Sequence, residues 1–259
     1  MCKLKSAIIL KDRIFMPDYD SHSKMLEELK ITDDYFNASK VFVRAELVPE
    51  NEDVFSDIDG WKLCVDQDIT PEWFDEKDCA ERMRKAVKEW AKTHIFVGQN
   101  ELKILHGENI FIKDCKNVEI CDNATVESIF GDATVKYIYN NATVKYICGN
   151  ATVESIRGEA TVKYICGSAT VKNICDSATV KNICGSATVK NIYGNATVKN
   201  ICGNATVECI SDNATVIISS YSKWNNSASL IISDNATFKD CYSTTIYQAG
   251  GWKFVDVKK

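Results

Sequence analysis

Proline and histidine are scarce in this 259-residue chain, at three residues each. His22, His94 and His106 stand in no His-x-x-x-His spacing, and no Cys-x-x-Cys occurs, so the common zinc arrangements are excluded. Gly-x-Gly-x-x-Gly, a phosphate loop and Gly-x-Ser-x-Gly are missing too. Apolar runs are short: before Lys11 there are four consecutive apolar residues, too few for the core of an export signal. Nowhere does a run approach the roughly 18 residues of a membrane span. These gaps lead to the expectation of a cytoplasmic protein that uses no membrane and no cofactor. The acidic clusters of the first hundred residues (Asp18 and Asp20, Asp33 and Asp34, Asp66 and Asp68) read as solvated faces, and His94 as a favourable charge at a helix C-terminus.

Cysteine, by contrast, is abundant, with 12 residues. In a secreted chain that number implies a disulfide framework. Here Cys148, Cys166, Cys184 and Cys202 recur at one position of a repeat, so the repeat accounts for them and free thiols are expected. Stacked one above another they would stand about 5 Å apart, within reach of soft metals. Exchange of Cys with Phe130 in the same column, and with Tyr or Arg in the alternate one, favours packing.

The repeat is the dominant signal. From Ala124 to Ala214 a nine-residue unit, Ala-Thr-Val-(Lys/Glu)-x-Ile-x-(Gly/Asp/Asn)-x, returns with alanines at 124, 133, 142 and onward in steps of nine. A short fixed period of β-branched residues separated by turn residues marks a β-solenoid. Nine residues cannot go out and come back around a core, so two units, 18 residues, make the smallest coil. Alternation supports this: Gly131, Gly149, Gly167, Gly185 and Gly203 occupy the turn in one phase, and Asp122, Asn140, Gly158, Asp176, Gly194 and Asp212 in the other. Ala, Val and Ile should face inward, Thr outward. The turn residue should bend through a left-handed conformation, with a second corner near Lys/Glu.

The fold class expected is therefore mainly β with a small α/β N-terminal domain. Residues 1–105 form that domain, 106–216 the solenoid, and 217–259 an irregular, aromatic-rich cap or dimerisation segment. In the first part "SAIILKDRIFM", "KVFVRAELV" and "WKLCVD" read as strands and "SHSKMLEELK" as a short helix. A long helix opens near Pro71, with Asp78 and Glu81 as a capping box and Cys79, Met83, Ala86, Val87, Trp90 and Ala91 on its apolar face. Tyr221, Trp224, Tyr242, Tyr247, Trp252 and Phe254 would cover the open solenoid end or join two copies through it.

One outer column carries a candidate binding surface. Lys145, Lys163, Lys181 and Lys199 follow one another at coil spacing, with Tyr146 and Tyr164 beside the first two. Like charges so placed repel unless an anionic partner relieves them. The partner expected is a macromolecule, a protein in the first place, with nucleic acid as the alternative. A solvated lysine edge that discourages aggregation is the plainer reading.

The run "GNATVKNICGSATVK" after a short α/β domain resembles nonapeptide-repeat β-solenoid proteins of gut bacteria and their phages. More distantly the rod is similar to pentapeptide-repeat proteins, some of which bind topoisomerases as DNA mimics, and to bactofilins, whose β-helices polymerise. These likenesses imply the fold and assign no activity. The function expected is a non-enzymatic protein-binding module, and, for a phage- or mobile-element-borne gene, an inhibitor of a host or defence protein. Self-assembly of the bactofilin kind is the alternative expected.

Overall fold

The computed structural model describes residues 5–218 and the backbone of three further short strands, Ile231–Ile232, Thr237–Asp240 and Ile246–Gln248, with side chains described through Val216. The chain divides into two compact units, Met1–Ile95 and Phe96–Lys259.

The first unit is a four-stranded antiparallel sheet with helices. Strands β1 (Lys5–Leu10), β2 (Ile14–Phe15), β3 (Phe42–Val48) and β4 (Lys62–Val65) lie in the order β2-β1-β3-β4. Helix α1 (His22–Glu28) matches the expected short helix, α2 (Tyr35–Ala38) is a single turn, and α3 (Glu76–His94) is the long one. Helix α3 starts later than its sequence suggests. Pro71 opens a separate turn closed by Phe74, and Asp75 is the N-cap, its carboxylate accepting from the Asp78 amide at 2.8 Å. Along α3 the predicted face is buried at Cys79, Met83, Val87 and Trp90.

The second unit is a β-solenoid of about seven 18-residue turns. Odd and even nonapeptides separate into two sheets, one of eight parallel strands and one of ten, parallel except for its last strand, Ile246–Gln248. Pairing advances 18 residues per coil: Thr134 faces Thr152, Thr152 faces Thr170, and Thr143 faces Thr161. The reason is the core. Ala142, Val144 and Ile147 are fully buried, as are their counterparts in the neighbouring coils, and a one-residue slip would turn these residues to solvent. Main-chain bonds run continuously up the stack, for instance from the Thr143 amide to the Ala124 carbonyl at 2.9 Å and from Thr161 to Ala142 at 2.9 Å.

Val and Ile of one unit are three residues apart, which strict alternation would place on opposite faces. Pairing passes from Val144–Val162 directly to Tyr146–Tyr164, leaving Lys145 and Lys163 outside the ladder. Two consecutive side chains thereby point outward, and this is the second corner. The first corner is the left-handed turn position, with φ of 70° at Gly149, 58° at Asn140 and 57° at Asp176.

The boundary expected near residue 105 falls inside the solenoid. Strand Ile95–Val97 joins the ten-stranded sheet, Lys103–Ile104 joins the eight-stranded one, and Leu102 and Ile104 belong to the solenoid core. These first coils lack the Ala-Thr-Val triplet, so they carry no repeat signal.

Candidate binding face

The solenoid corner where Lys/Glu and its follower both point outward produces two columns on each side of the rod. On the ten-stranded side the first column reads Glu127, Lys145, Lys163, Lys181, Lys199. Glu127 forms an ion pair with Lys145. Lys163, Lys181 and Lys199 have no acidic partner among the described residues. Coil rise along this side is short, since the Cα atoms of Cys148 and Cys166, one coil apart, are 4.8 Å from each other. Three uncompensated ammonium groups thus share one edge.

On the eight-stranded side the same unit yields a different column: Lys136, Glu154, Lys172, Lys190, Glu208. Lys172 meets Glu154 at 3.2 Å. Acids interrupt this column twice, so it holds a single Lys–Lys neighbour pair, against three on the other side. One repeat therefore builds two faces, one internally neutralised and one cationic.

The second column adds shape to the charge. Tyr146 and Tyr164 are register partners whose rings stack at 5.2 Å between centroids, 10° from parallel. They are among the most exposed large apolar side chains of the solenoid, at 45% and 38%, with Phe130 at 44%. Past them the column continues as Asn182 and Asn200, where the Asn200 amide donates to Asn182 Oδ1 at 3.1 Å. Asn182 also donates to the Lys163 carbonyl at 3.3 Å, which fixes the corner carrying the lysine. The result is a flat strip of paired tyrosine and asparagine beside a line of cations, mounted on a backbone ladder that leaves little freedom to reorganise.

No family model, curated protein or solved structure matches this chain. Its chemistry has to be read from its own side chains.

The turn-side columns complete the solenoid surface. In the eight-stranded phase the position before the turn holds Cys121, Tyr139, Arg157, Cys175, Tyr193 and Ser211. The Arg157 guanidinium lies 4.5 Å from the Tyr137 ring centroid and 5.3 Å from that of Tyr139. Hydrogen bonding to the Cys121 thiol, reinforced by burial, pushes the Tyr139 phenol up to about 12. Cys175 and burial do the same for Tyr193, also to about 12. In the ten-stranded phase Cys148 and Cys166 are joined as a disulfide, which corrects the expectation of free thiols at this pair. In-register stacking brings their Cα atoms to 4.8 Å, inside the span a disulfide bridges. Cys184 and Cys202 are free. Among the described residues no group of three or more His, Cys, Asp or Glu could hold a metal ion.

Within the first unit the structure gathers residues that the sequence reading had dispersed. Lys5 is fully buried, its ammonium 2.6 Å from the Pro17 carbonyl, 3.3 Å from Asp20 and 5.2 Å from the Trp90 ring centroid. His94 stacks on Trp90 at 4.5 Å, with Nε2 3.3 Å from Asp18. Its Nδ1 lies 2.8 Å from the Trp90 carbonyl and 2.9 Å from the Thr93 hydroxyl, which donates to the same carbonyl at 3.1 Å. Asp20 is half-buried beside Lys5, whereas Asp18 meets His94 from a largely exposed position, at 69%. Sequence spacing could not show this, because the partners lie 76 and 15 residues away.

Of the aromatic residues assigned to the C-terminal segment, Tyr221, Trp224, Tyr242, Trp252 and Phe254 lie outside the described residues. Tyr247 lies in the strand Ile246–Gln248, whose backbone alone is described. That strand pairs antiparallel with Thr237–Asp240. No helix among the described residues is long and apolar enough to cross a membrane.

Proposed function

We propose that this chain is a non-catalytic binding protein whose solenoid holds the Lys163–Lys181–Lys199 column and the Tyr146–Tyr164 pair against an acidic protein surface. What carries the reading is the contrast between two faces made from one repeat. The eight-stranded face places acids among its lysines, while the ten-stranded face keeps neighbouring cations that destabilise the isolated rod. A site that works against stability fits a role beyond folding. Exposed tyrosines supply contact area at low entropic cost, and tyrosine is enriched at the centres of protein interfaces. An inhibitor of a host or defence protein is one role of this kind.

The tyrosine pair leaves no room for a base intercalated between its rings. A base inserted between Tyr146 and Tyr164 would need twice the roughly 3.4 Å stacking rise, about 7 Å. The rings stand at 5.2 Å on paired strands that cannot part without breaking the ladder.

The test is capture from bacterial lysate, with and without nuclease, by three proteins: the native chain, a Lys163→Glu/Lys181→Glu variant, and a Lys172→Glu/Lys190→Glu variant on the opposite face. The expected result is a stoichiometric, nuclease-resistant protein retained by the first and third and lost by the second. Equal capture by all three, or capture that disappears with nuclease, would overturn the reading.

A further inference from the structure

Four cysteines occupy consecutive coils at one position of the repeat: Cys148, Cys166, Cys184 and Cys202. Their backbones are equivalent. Each amide donates to the isoleucine carbonyl of the coil before it, to Ile129, Ile147, Ile165 and Ile183, at 2.9, 2.8, 2.9 and 2.9 Å. The preceding isoleucines are register partners from Ile129 through Ile201. The 4.8 Å Cα separation that carries the Cys148–Cys166 disulfide is therefore the separation set by the stack for the next two pairs as well. All four side chains are half-buried, so small reagents reach them, whereas Cys121 and Cys175 of the other phase are buried. Phe130 occupies the coil below Cys148 and closes the column at that end.

We infer that this column is a thiol–disulfide exchange site in which a disulfide occupies any neighbouring pair and moves one coil at a time. The step needs no outside oxidant. The Cys184 thiolate attacks Cys166 Sγ, the Cys166–Cys184 bond forms as the Cys148–Cys166 bond breaks, and Cys148 leaves as a thiolate that takes up the proton released by Cys184. A second disulfide does need an oxidant. A low-molecular-weight disulfide of the glutathione class accepts the two electrons and two protons of Cys184 and Cys202 and departs as two thiols. With four members, full pairing is satisfied only as Cys148–Cys166 with Cys184–Cys202. A bond at Cys166–Cys184 strands the two outer thiols. Burial, and then the neighbouring Cys202 thiol, push the Cys184 thiol up, so exchange is slow at neutral pH and accelerates as pH rises.

Serine is the natural replacement, since Ser211 already fills the equivalent position of the other phase. The test is disulfide mapping by mass spectrometry after alkylation of free thiols, on the full chain treated with oxidised glutathione. Trypsin places Cys148, Cys166 and Cys184 on separate peptides and Cys202 on a fourth, shared with Cys209. In the native chain a Cys184–Cys202 bond is expected beside Cys148–Cys166. In Cys148→Ser the expected bond is Cys166–Cys184, or Cys184–Cys202 after a further step. In Cys202→Ser the single bond is expected to divide between Cys148–Cys166 and Cys166–Cys184, leaving Cys184 or Cys148 alkylated, and a bond found at Cys148–Cys166 alone overturns the migration. Far-UV circular dichroism checks that each variant folds. A folded Cys148→Ser protein in which Cys166, Cys184 and Cys202 all remain free thiols overturns the proposal, as does a native chain that takes up glutathione as mixed disulfides without pairing Cys184 to Cys202.

Discussion

Replacing Lys181 by Glu should stabilise the solenoid while destroying the proposed binding face. Lys181 lies between Lys163 and Lys199, both without an acidic partner among the described residues, on coils that rise 4.8 Å. Two like charges splayed by flexible stems to about 7 Å repel by about 0.6 kcal/mol in water. A Debye length of about 8 Å at physiological salt reduces each repulsion to about 0.25 kcal/mol. Lys181→Glu converts two repulsions into two attractions, so the gain is about 1 kcal/mol at 0.15 M salt, at the upper end of what exposed pairs give. At 1 M salt, where the screening length is about 3 Å, about 0.2 kcal/mol should survive. Lys190→Glu is the internal control. Its neighbours are Lys172 and Glu208, so one repulsion is removed and one attraction is lost, with no net change expected. Urea unfolding followed by circular dichroism at both salt concentrations reads the difference. A gain that is absent at low salt, persists undiminished at 1 M, or appears equally in Lys190→Glu refutes the electrostatic account of this face.

Two further outcomes follow from the coil itself. Gly167→Ala should cost at least about 1–2 kcal/mol for a left-handed alanine, because φ is +63° and the new Cβ would sit 2.9 Å from the Gly149 amide nitrogen. Gly60→Ala, where nothing lies within 4 Å, should be neutral or slightly stabilising in the same urea assay. The second outcome concerns alkaline pH. Tyr139 and Tyr193 titrate near 12 in the folded chain against about 10 in an unfolded one, so the folded state retains protons that the unfolded state has lost. Their contribution is complete below pH 10 and disappears as pH rises toward 12. A Tyr139→Phe/Tyr193→Phe protein should lose less stability than the native chain between pH 9.5 and 11.5, and phenolate absorbance at 295 nm should lack a late-titrating pair in the variant.

Much of the solenoid is legible in the sequence because each coil repeats one solution. The inward set of Ala, Val and Ile, the left-handed turn and the 18-residue coil all follow from sterics and periodicity within a single unit. The coil before residue 106 escapes notice because "GQNELKIL" meets the core with Leu102 and Ile104 instead of the triplet, whereas "HGENIFIKDCKN", with Ile110 and Ile112, is legible as part of the solenoid. The asymmetry of the faces is visible as a list of lysines, but its meaning depends on knowing which glutamates stack on which lysines. Asp18 with His94 and Lys5 with Trp90 were hidden for another reason: tertiary pairing between distant segments leaves no local pattern. The same holds for the Cys148–Cys166 bond, since column spacing was readable and the bonding of one pair was not.

The two-unit coil also governs how such a gene can change length. Gain or loss of 18 residues by slippage between near-identical repeats inserts or removes a whole turn, and every column above the event stays aligned with the column below. An event of nine residues also lets the main chain close, since each unit has the same turn and the same inward triplet. From that point on, though, the odd and even columns exchange places: Lys181 would stack on the Glu154–Lys172 side, and Cys184 would join the column of Arg157 and Cys175 rather than that of Cys166. Length can therefore drift freely in whole turns, while half-turns scramble the surface without disturbing the core.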